Sequence, residues 1–357
     1  MKTVYEQMEE ENSKENIERF KQLRLLDHDH KVYHAENVIE EFVEDCYAKG
    51  WNFHISVGGL DSITLLLFIR DMGRRRCRAD LRDVPAISVS GLEDASIRAI
   101  HRDLGVTVLQ PEKAKPEILQ TCGFPVLSKE IAAKIDQLQR PTEKNATIRH
   151  AIVTGQTGEY GGRRYSERMK LANKWLKLFG GADPEGAALG YAAAPFRVSA
   201  DCCYYLKEKP CDSWAKEHHS APFLGLMASE GGRRSKALML HGCNYWGKKT
   251  RRSCPFAIFD RQDLLQLAVD LNVPVPEIYG EITRDKNGQL STTGAQRTGC
   301  SMCGFGIQLE KRPHRFDRLR ERSPKEWEYW MTRCCHDENG EQFGWGQVLD
   351  YIGIKWR

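Results

Sequence analysis

Seven residues, Ser56-Val-Gly-Gly-Leu-Asp61-Ser62, place two hydroxyls, two adjacent glycines and one carboxylate between an alternating apolar run (53–57) and a leucine-rich one (62–72). A strand that enters a helix through so short a polar loop leaves backbone N–H groups facing outward, and the helix N-terminus adds partial positive charge. Gly58 and Gly59 let an anion approach the main chain, and the hydroxyls of Ser56 and Ser62 supplement the amides. Asp61 suits a Mg²⁺ that accompanies phosphates. The chemistry on offer is phosphate binding. No Gly-Lys-Ser/Thr follows the loop, which disfavours an ATPase or kinase that cuts at the γ-phosphate.

The second chemical feature is sulfur. The chain of 357 residues carries 12 cysteines, clustered in its C-terminal half as Cys202-Cys203, Cys211, Cys243, Cys254, Cys300-x-x-Cys303 and Cys334-Cys335. The opening MKTVYEQMEEENSKENIERF is polar and acidic, without the apolar stretch of a secretory signal, and no apolar run reaches the roughly 18 residues of a membrane span. A cytoplasmic, reducing setting and no membrane partner are therefore expected, and there clustered cysteines mean metal or redox chemistry. Cys300 and Cys303 present two thiolates one turn apart, and a closed tetrahedral site needs two more, from Cys202-Cys203, Cys243 or Cys254. A structural zinc and an iron–sulfur cluster both satisfy that donor set. Cys46, Cys77 and Cys122 read as metal-free thiols and Cys334-Cys335 as an unliganded surface pair; His218, His219 and His314 read as solvated.

These residues need elements to position them. Helical spacing of apolar residues covers 13–49; FHISV (53–57), VPAISVS (84–90) and VTVLQP (106–111) read as strands separated by helices at 62–72 and 93–105. A further strand is expected at 222–228, with helices at 213–220, 260–272 and 323–334, the last opened by Ser323 and Pro324. Patterning weakens from Pro141 to Gly190, where the glycine-rich TGQTGEYGGRRYSE suggests an active-site loop or an insertion. Strands alternating with helices predict a parallel sheet with crossover helices. Net charge is only +4, and the local basic runs GRRYSERMK, EGGRRSK, GKKTRRS and EKRPHRFDRLRERS serve either surface solvation or a phosphate-bearing partner.

SVGGLDS resembles the S-x-G-G-x-D-S loop of the PP-loop ATP pyrophosphatases, the adenine-nucleotide alpha-hydrolase-like enzymes. SVSGLEDASIRA, DCCYYLKEKP, GLMASEGGRRSKAL and the RTGCSMC tail are similar to segments of the PAPS reductase-like proteins of phage and bacterial genomes. The resemblance spans most of residues 50–353 and leaves out the N-terminal helical segment and the stretch 141–190. It implies an α/β fold, a Rossmann-like parallel sheet with helices on both faces, flanked by an N-terminal helical segment and a cysteine-rich, mostly helical C-terminal region. In domain terms these are residues 1–48, a nucleotide-binding domain at 49–260, and 261–357 completing the metal site.

For the site, the resemblance implies ATP or another adenine nucleotide at Ser56, Gly58, Gly59, Asp61 and Ser62, with Gly91 and Glu93 after the second strand. It implies catalytic roles for Asp61, Lys207 and Arg233, and a [4Fe–4S] cluster on Cys203, Cys243, Cys300 and Cys303, with Cys202 as first substitute. Two activities are compatible. One adenylates an acceptor with Mg²⁺ and pyrophosphate release, then transfers sulfur from a donor such as a cysteine desulfurase to a nucleotide or nucleic-acid acceptor. The other reduces an adenylyl sulfate, for which the sequence GQVLDYIGIKWR offers no Glu-Cys-Gly-x-His-like nucleophile and CCHDENG (334–340) is a poor substitute. A nucleotide- or nucleic-acid-binding module with structural zinc is the non-catalytic reading, and a homo-oligomer is left open.

Overall fold

The computed structural model describes residues 4–89, 91, 93–158, 164–248 and 250–357, with side chains described from residue 13 onward except at Arg233. The chain forms two compact units: residues up to Gln110 together with Pro210–Gly299, and Pro111–Lys209 together with Cys300–Arg357. These boundaries depart from the expected ones. Residues 1–48 belong to the first unit, and residues 261–357 are divided between the two at Gly299.

The first unit opens with helices α1 (Val4–Leu23) and α2 (His28–Ala48), and α2 starts where the Asp27 carboxylate accepts the His30 N–H at 3.0 Å. Then follow β1 (Asn52–Ser56), α3 (Leu60–Arg75), β2 (Ala86–Ser88), α4 (Ala95–Asp103) and β3 (Thr107–Val108). After the second unit's first segment come β4 (Ser220–Leu224), α5 (Gly232–His241), β5 (Asn244–Trp246), β6 (Arg251–Ser253) and α6 (Arg261–Asp270). The sheet order is β3-β2-β1-β4-β6-β5, parallel throughout except β5, which runs against β6. Strands expected over 84–90 and 106–111 shorten to β2 and β3, and the one expected at 222–228 begins at Ser220.

Consecutive residues of β1, Phe53, His54 and Ile55, are all buried, so both faces of the sheet are covered; this is the expected α/β, Rossmann-like arrangement. Phe42 of α2 packs edge-on against Phe223 of β4 at 5.0 Å and tilts against Trp246 of β5 at 5.3 Å, which is why the N-terminal helices are not a domain of their own. Phe42 and Phe223, both fully buried, each contribute roughly 1.5–3 kcal/mol over the exposed state. His54 lies inside the sheet with Nδ1 2.7 Å from the Ser220 hydroxyl; burial pushes its pKa down to about 4, so the ring is neutral. The strand order reverses about β1, so the ends of β1 and β4 flank the crevice where ligands of open parallel sheets bind.

The second unit is mainly helical, with helices at Lys115–Thr121, Lys129–Gln139, Ala146–Thr154, Asn173–Phe179, Arg315–Arg322, Pro324–Thr332 and Trp345–Tyr351. A parallel pair of two-residue strands, Val126–Leu127 and Gly304–Phe305, ties its two chain segments together. Phe124, Phe316 and Trp345 form its aromatic centre, with Trp345 5.0 Å from Phe124 and 5.4 Å from Phe316. Two expectations are corrected in this unit. Cys334 and Cys335 are buried rather than on the surface, because the hairpin pairing Cys335 with Phe343 folds back on the helix before it. His314 is buried too, its Nδ1 accepting the Asp317 N–H and its Nε2 donating to the Lys355 carbonyl. Within 141–190 the region has its own helices, and residues 159–163 of the glycine-rich stretch lie outside the described residues. No helix among the described residues is long and apolar enough to cross a membrane.

Candidate functional site

The loop between β1 and α3 is braced from within. Ser62 Oγ accepts the Gly58 N–H at 2.7 Å and donates to the Gly59 carbonyl at 3.0 Å, so this hydroxyl shapes the loop rather than standing free to meet an anion. The buried His101 of α4 donates Nε2–H to the Gly58 carbonyl at 2.8 Å. On the far side the Leu60 N–H donates to Tyr279 Oη at 3.1 Å, and that hydroxyl lies 2.5 Å from Thr298 Oγ1. Gly225, just past β4, lets the first turn of α3 come close: a Cβ there would lie 3.0 Å from Ser62 Cα. Ser56 closes β1 in register with Ile87 and Leu224.

Asp61 is not free either. Its Oδ1 accepts from Arg261 Nη1 at 2.7 Å, and the same guanidinium donates through Nη2 to the Gln296 carbonyl at 3.1 Å. Burial pushes the Asp61 carboxyl above its ordinary value, Arg261 and Arg297 work against that, and Glu230 adds to it. Gly91 is exposed in the turn after β2, while Glu93 is buried there. Burial raises the Tyr279 phenol and the charges of Asp61 and Glu93 add to that, while the hydrogen bonds with Thr298 and the Leu60 amide oppose it. Asp94 caps α4 through the Ser96 N–H at 2.9 Å, and Ser96 Oγ accepts the Ile278 N–H at 3.2 Å, hooking this turn to the one bearing Tyr279.

Of the cations expected here, the Arg233 side chain lies outside the described residues, and Arg234 is exposed and paired with Glu230. Lys207 belongs to the second unit, one turn past Cys203, where its charge opposes the rise of that thiol's pKa. The residues that sequence reasoning missed are His101, Arg261, Tyr279 and Thr298. Thr298 sits inside the Arg297-Thr-Gly-Cys motif, in which the sequence reading assigns a role to the cysteines and none to the threonine.

In the second unit Cys202, Cys203, Cys300 and Cys303 line one buried cavity with Lys115, Pro125, Leu206 and Met302. Burial pushes the Cys202 thiol up to about 12 and raises Cys203, and the neighbouring thiols Cys300 and Cys303 raise these two further. Cys243, the other expected ligand, is not part of that lining. It belongs to the first unit, with Sγ 3.8 Å from His34 Nε2, and burial holds its thiol at about 12. Its neighbour Cys254 accepts from Arg252 Nη1 at 2.9 Å. Cys202, the expected first substitute, does line the cavity. The donor set suits a thiophilic metal centre in kind and number. As placed, no group of three or more His, Cys, Asp or Glu among the described residues converges on a metal position.

No protein-family model matches the chain, and no curated protein matches its sequence. Among solved structures it is similar to the phosphoadenylyl-sulfate (PAPS) reductase from Candida auris in its phosphate complex, at 11% identity and a TM-score of 0.33. That superposition covers 74% of this chain and 98% of the other.

Proposed function

We propose that the chain is an enzyme of adenylylated oxyanions. The first unit holds the phosphate or sulfate oxygens over residues 58–61, at the N-terminus of α3, with Arg261 as the cationic wall. Cys202, Cys203, Cys300 and Cys303 of the second unit hold a metal centre, for which a [4Fe–4S] cluster is the group the sequence resemblance implies. When bound, such a cluster supplies negative charge and one-electron redox capacity. The substrate class we assign is an adenylyl sulfate.

The observation that carries this choice is the Asp61–Arg261 pair at 2.7 Å. A carboxylate already satisfied by a guanidinium binds Mg²⁺ only after giving that partner up, whereas an adenylyl sulfate is held by amides and guanidinium without a metal ion. The alternative of ATP, Mg²⁺, pyrophosphate release and sulfur transfer to an acceptor requires Asp61 to exchange Arg261 for the cation. Arg261→Ala separates the two readings. It is expected to weaken binding of adenosine 5′-phosphosulfate by roughly 10- to 100-fold, the loss of about 1.5–3 kcal/mol from a charge-assisted hydrogen bond, equally with and without Mg²⁺. Calorimetric titration measures this. A variant that binds the sulfate normally and gains Mg²⁺-dependent pyrophosphate release from ATP would make Asp61 a metal ligand and establish the sulfur-transfer reading instead.

A further inference from the structure

Lys115 opens the helix Lys115–Thr121 and is 5% exposed, yet no Asp or Glu among the described residues pairs with it. Its ammonium donates to the carbonyl of Ser301, inside the Cys300-x-x-Cys303 turn, and lies 5.1 Å from the centre of the Trp330 ring. It also lines the cavity of Cys202, Cys203, Cys300 and Cys303. An ammonium removed from water without a counter-charge is among the costliest groups a fold can bury, and one carbonyl and one π-face offset only part of that cost. Neutral thiols supply no counter-charge. Four thiolates around a metal do, because their summed charge exceeds that of the divalent ion they bind.

We propose that Lys115 is the counter-cation of the four-cysteine centre, fixed through the Ser301 carbonyl and setting how tightly the centre is held. The proposal rests on the four-thiolate reading given above. One other thiol faces the same ammonium: Cys334, whose Sγ donates to the Trp330 carbonyl at 3.3 Å. The four-thiol cavity is the closer match, since Lys115 lines it and is anchored on its Cys-x-x-Cys turn.

The test uses the full chain with Lys115→Met, Lys115→Arg and Cys334→Ser. Three quantities are measured: Zn²⁺ affinity by chelator competition, iron and acid-labile sulfide per chain after anaerobic reconstitution, and thermal unfolding of the metal-free protein. Lys115→Met is expected to weaken Zn²⁺ binding by roughly 10- to 100-fold, the range seen when groups supporting metal ligands are removed. Lys115→Arg restores it to within about threefold, Cys334→Ser leaves it unchanged, and metal-free Lys115→Met melts no lower than the wild type because an uncompensated buried charge is gone. Wild-type affinity in Lys115→Met, or equal destabilisation of that variant with and without metal, overturns the proposal. So does a Cys334→Ser variant that reproduces the loss. Wild-type protein that takes up neither Zn²⁺ nor iron overturns the four-thiolate reading and Lys115's role with it.

Discussion

Gly59→Ala is expected to lower affinity for adenosine 5′-phosphosulfate by at least about 100-fold, while Gly58→Ala one residue earlier in the same loop changes it by no more than a few-fold. A Cβ on Gly59 would fall inside van der Waals contact with Tyr279 Oη and 2.9 Å from Thr298 Oγ1. Tyr279 is 3% exposed and its hydroxyl is held between the Leu60 N–H and Thr298, so the ring has no room to give way. The loop must move instead. That breaks the Leu60–Tyr279 hydrogen bond and misaims the amides, with a stability loss of roughly 1–3 kcal/mol from overpacking. On Gly58 the nearest atom to a new Cβ is Ser62 Oγ at 3.8 Å, an ordinary contact. Titration of both variants decides the matter: equal losses, or none, would mean that the space between the loop and Tyr279 is not where the anion sits.

The largest expected effect on stability lies in the same unit. Lys31→Met is expected to cost roughly 3–5 kcal/mol, the usual penalty for leaving a buried charge without its partner. Lys31 Nζ lies 2.7 Å from Asp263 Oδ2, with side chains 5% and 10% exposed, and the pair joins α2 to the first turn of α6. Burial pushes the Asp263 carboxyl up, but His28, the Asp260 amide and Lys31 outweigh it and hold the group below its ordinary value. Its contribution is therefore complete above the ordinary carboxylate range and is lost as pH falls through and below that range. His28 runs the other way: Asp263 raises it, so its contribution is complete below about pH 6.5 and fades as pH rises through the folded value. Urea unfolding of Lys31→Met and of Lys31→Met with Asp263→Leu measures the pair. The double variant is expected to recover most of the loss, and a single variant as stable as the wild type would show that the pair contributes nothing.

What the sequence made legible was local. Glycines, hydroxyls and a carboxylate packed into seven residues announce an anion loop wherever they join a strand to a helix, and the buried alternation of strands and helices predicts the sheet. The partners that brace the loop were not legible, because Arg261, Tyr279 and Thr298 arrive from about two hundred residues downstream, and even the motif holding Thr298 does not say which loop it meets. Ser62 shows the same limit in miniature: a hydroxyl at the right place in the motif turns inward to Gly58 and Gly59. The choice between Cys202 and Cys243 was not legible, because spacing along the chain does not say which unit a cysteine joins. That is settled by the pairing of Gly304 with Val126, beside Cys303, and by the packing of Cys243 against His34. A position at the end of a helix suggested a surface pair for Cys334-Cys335, but the hairpin that follows covers both thiols.

The most direct measurement is a calorimetric titration of the full chain, purified without oxygen, with adenosine 5′-phosphosulfate and separately with ATP, each in Mg²⁺ and in chelator. Arg261 on Asp61, and amides at the head of α3, predict that the sulfate binds at micromolar concentration with the same affinity in Mg²⁺ and in chelator, and more tightly than ATP in chelator. Binding that appears only with ATP and Mg²⁺, or no heat with either nucleotide, would contradict an adenylylated oxyanion held by this loop.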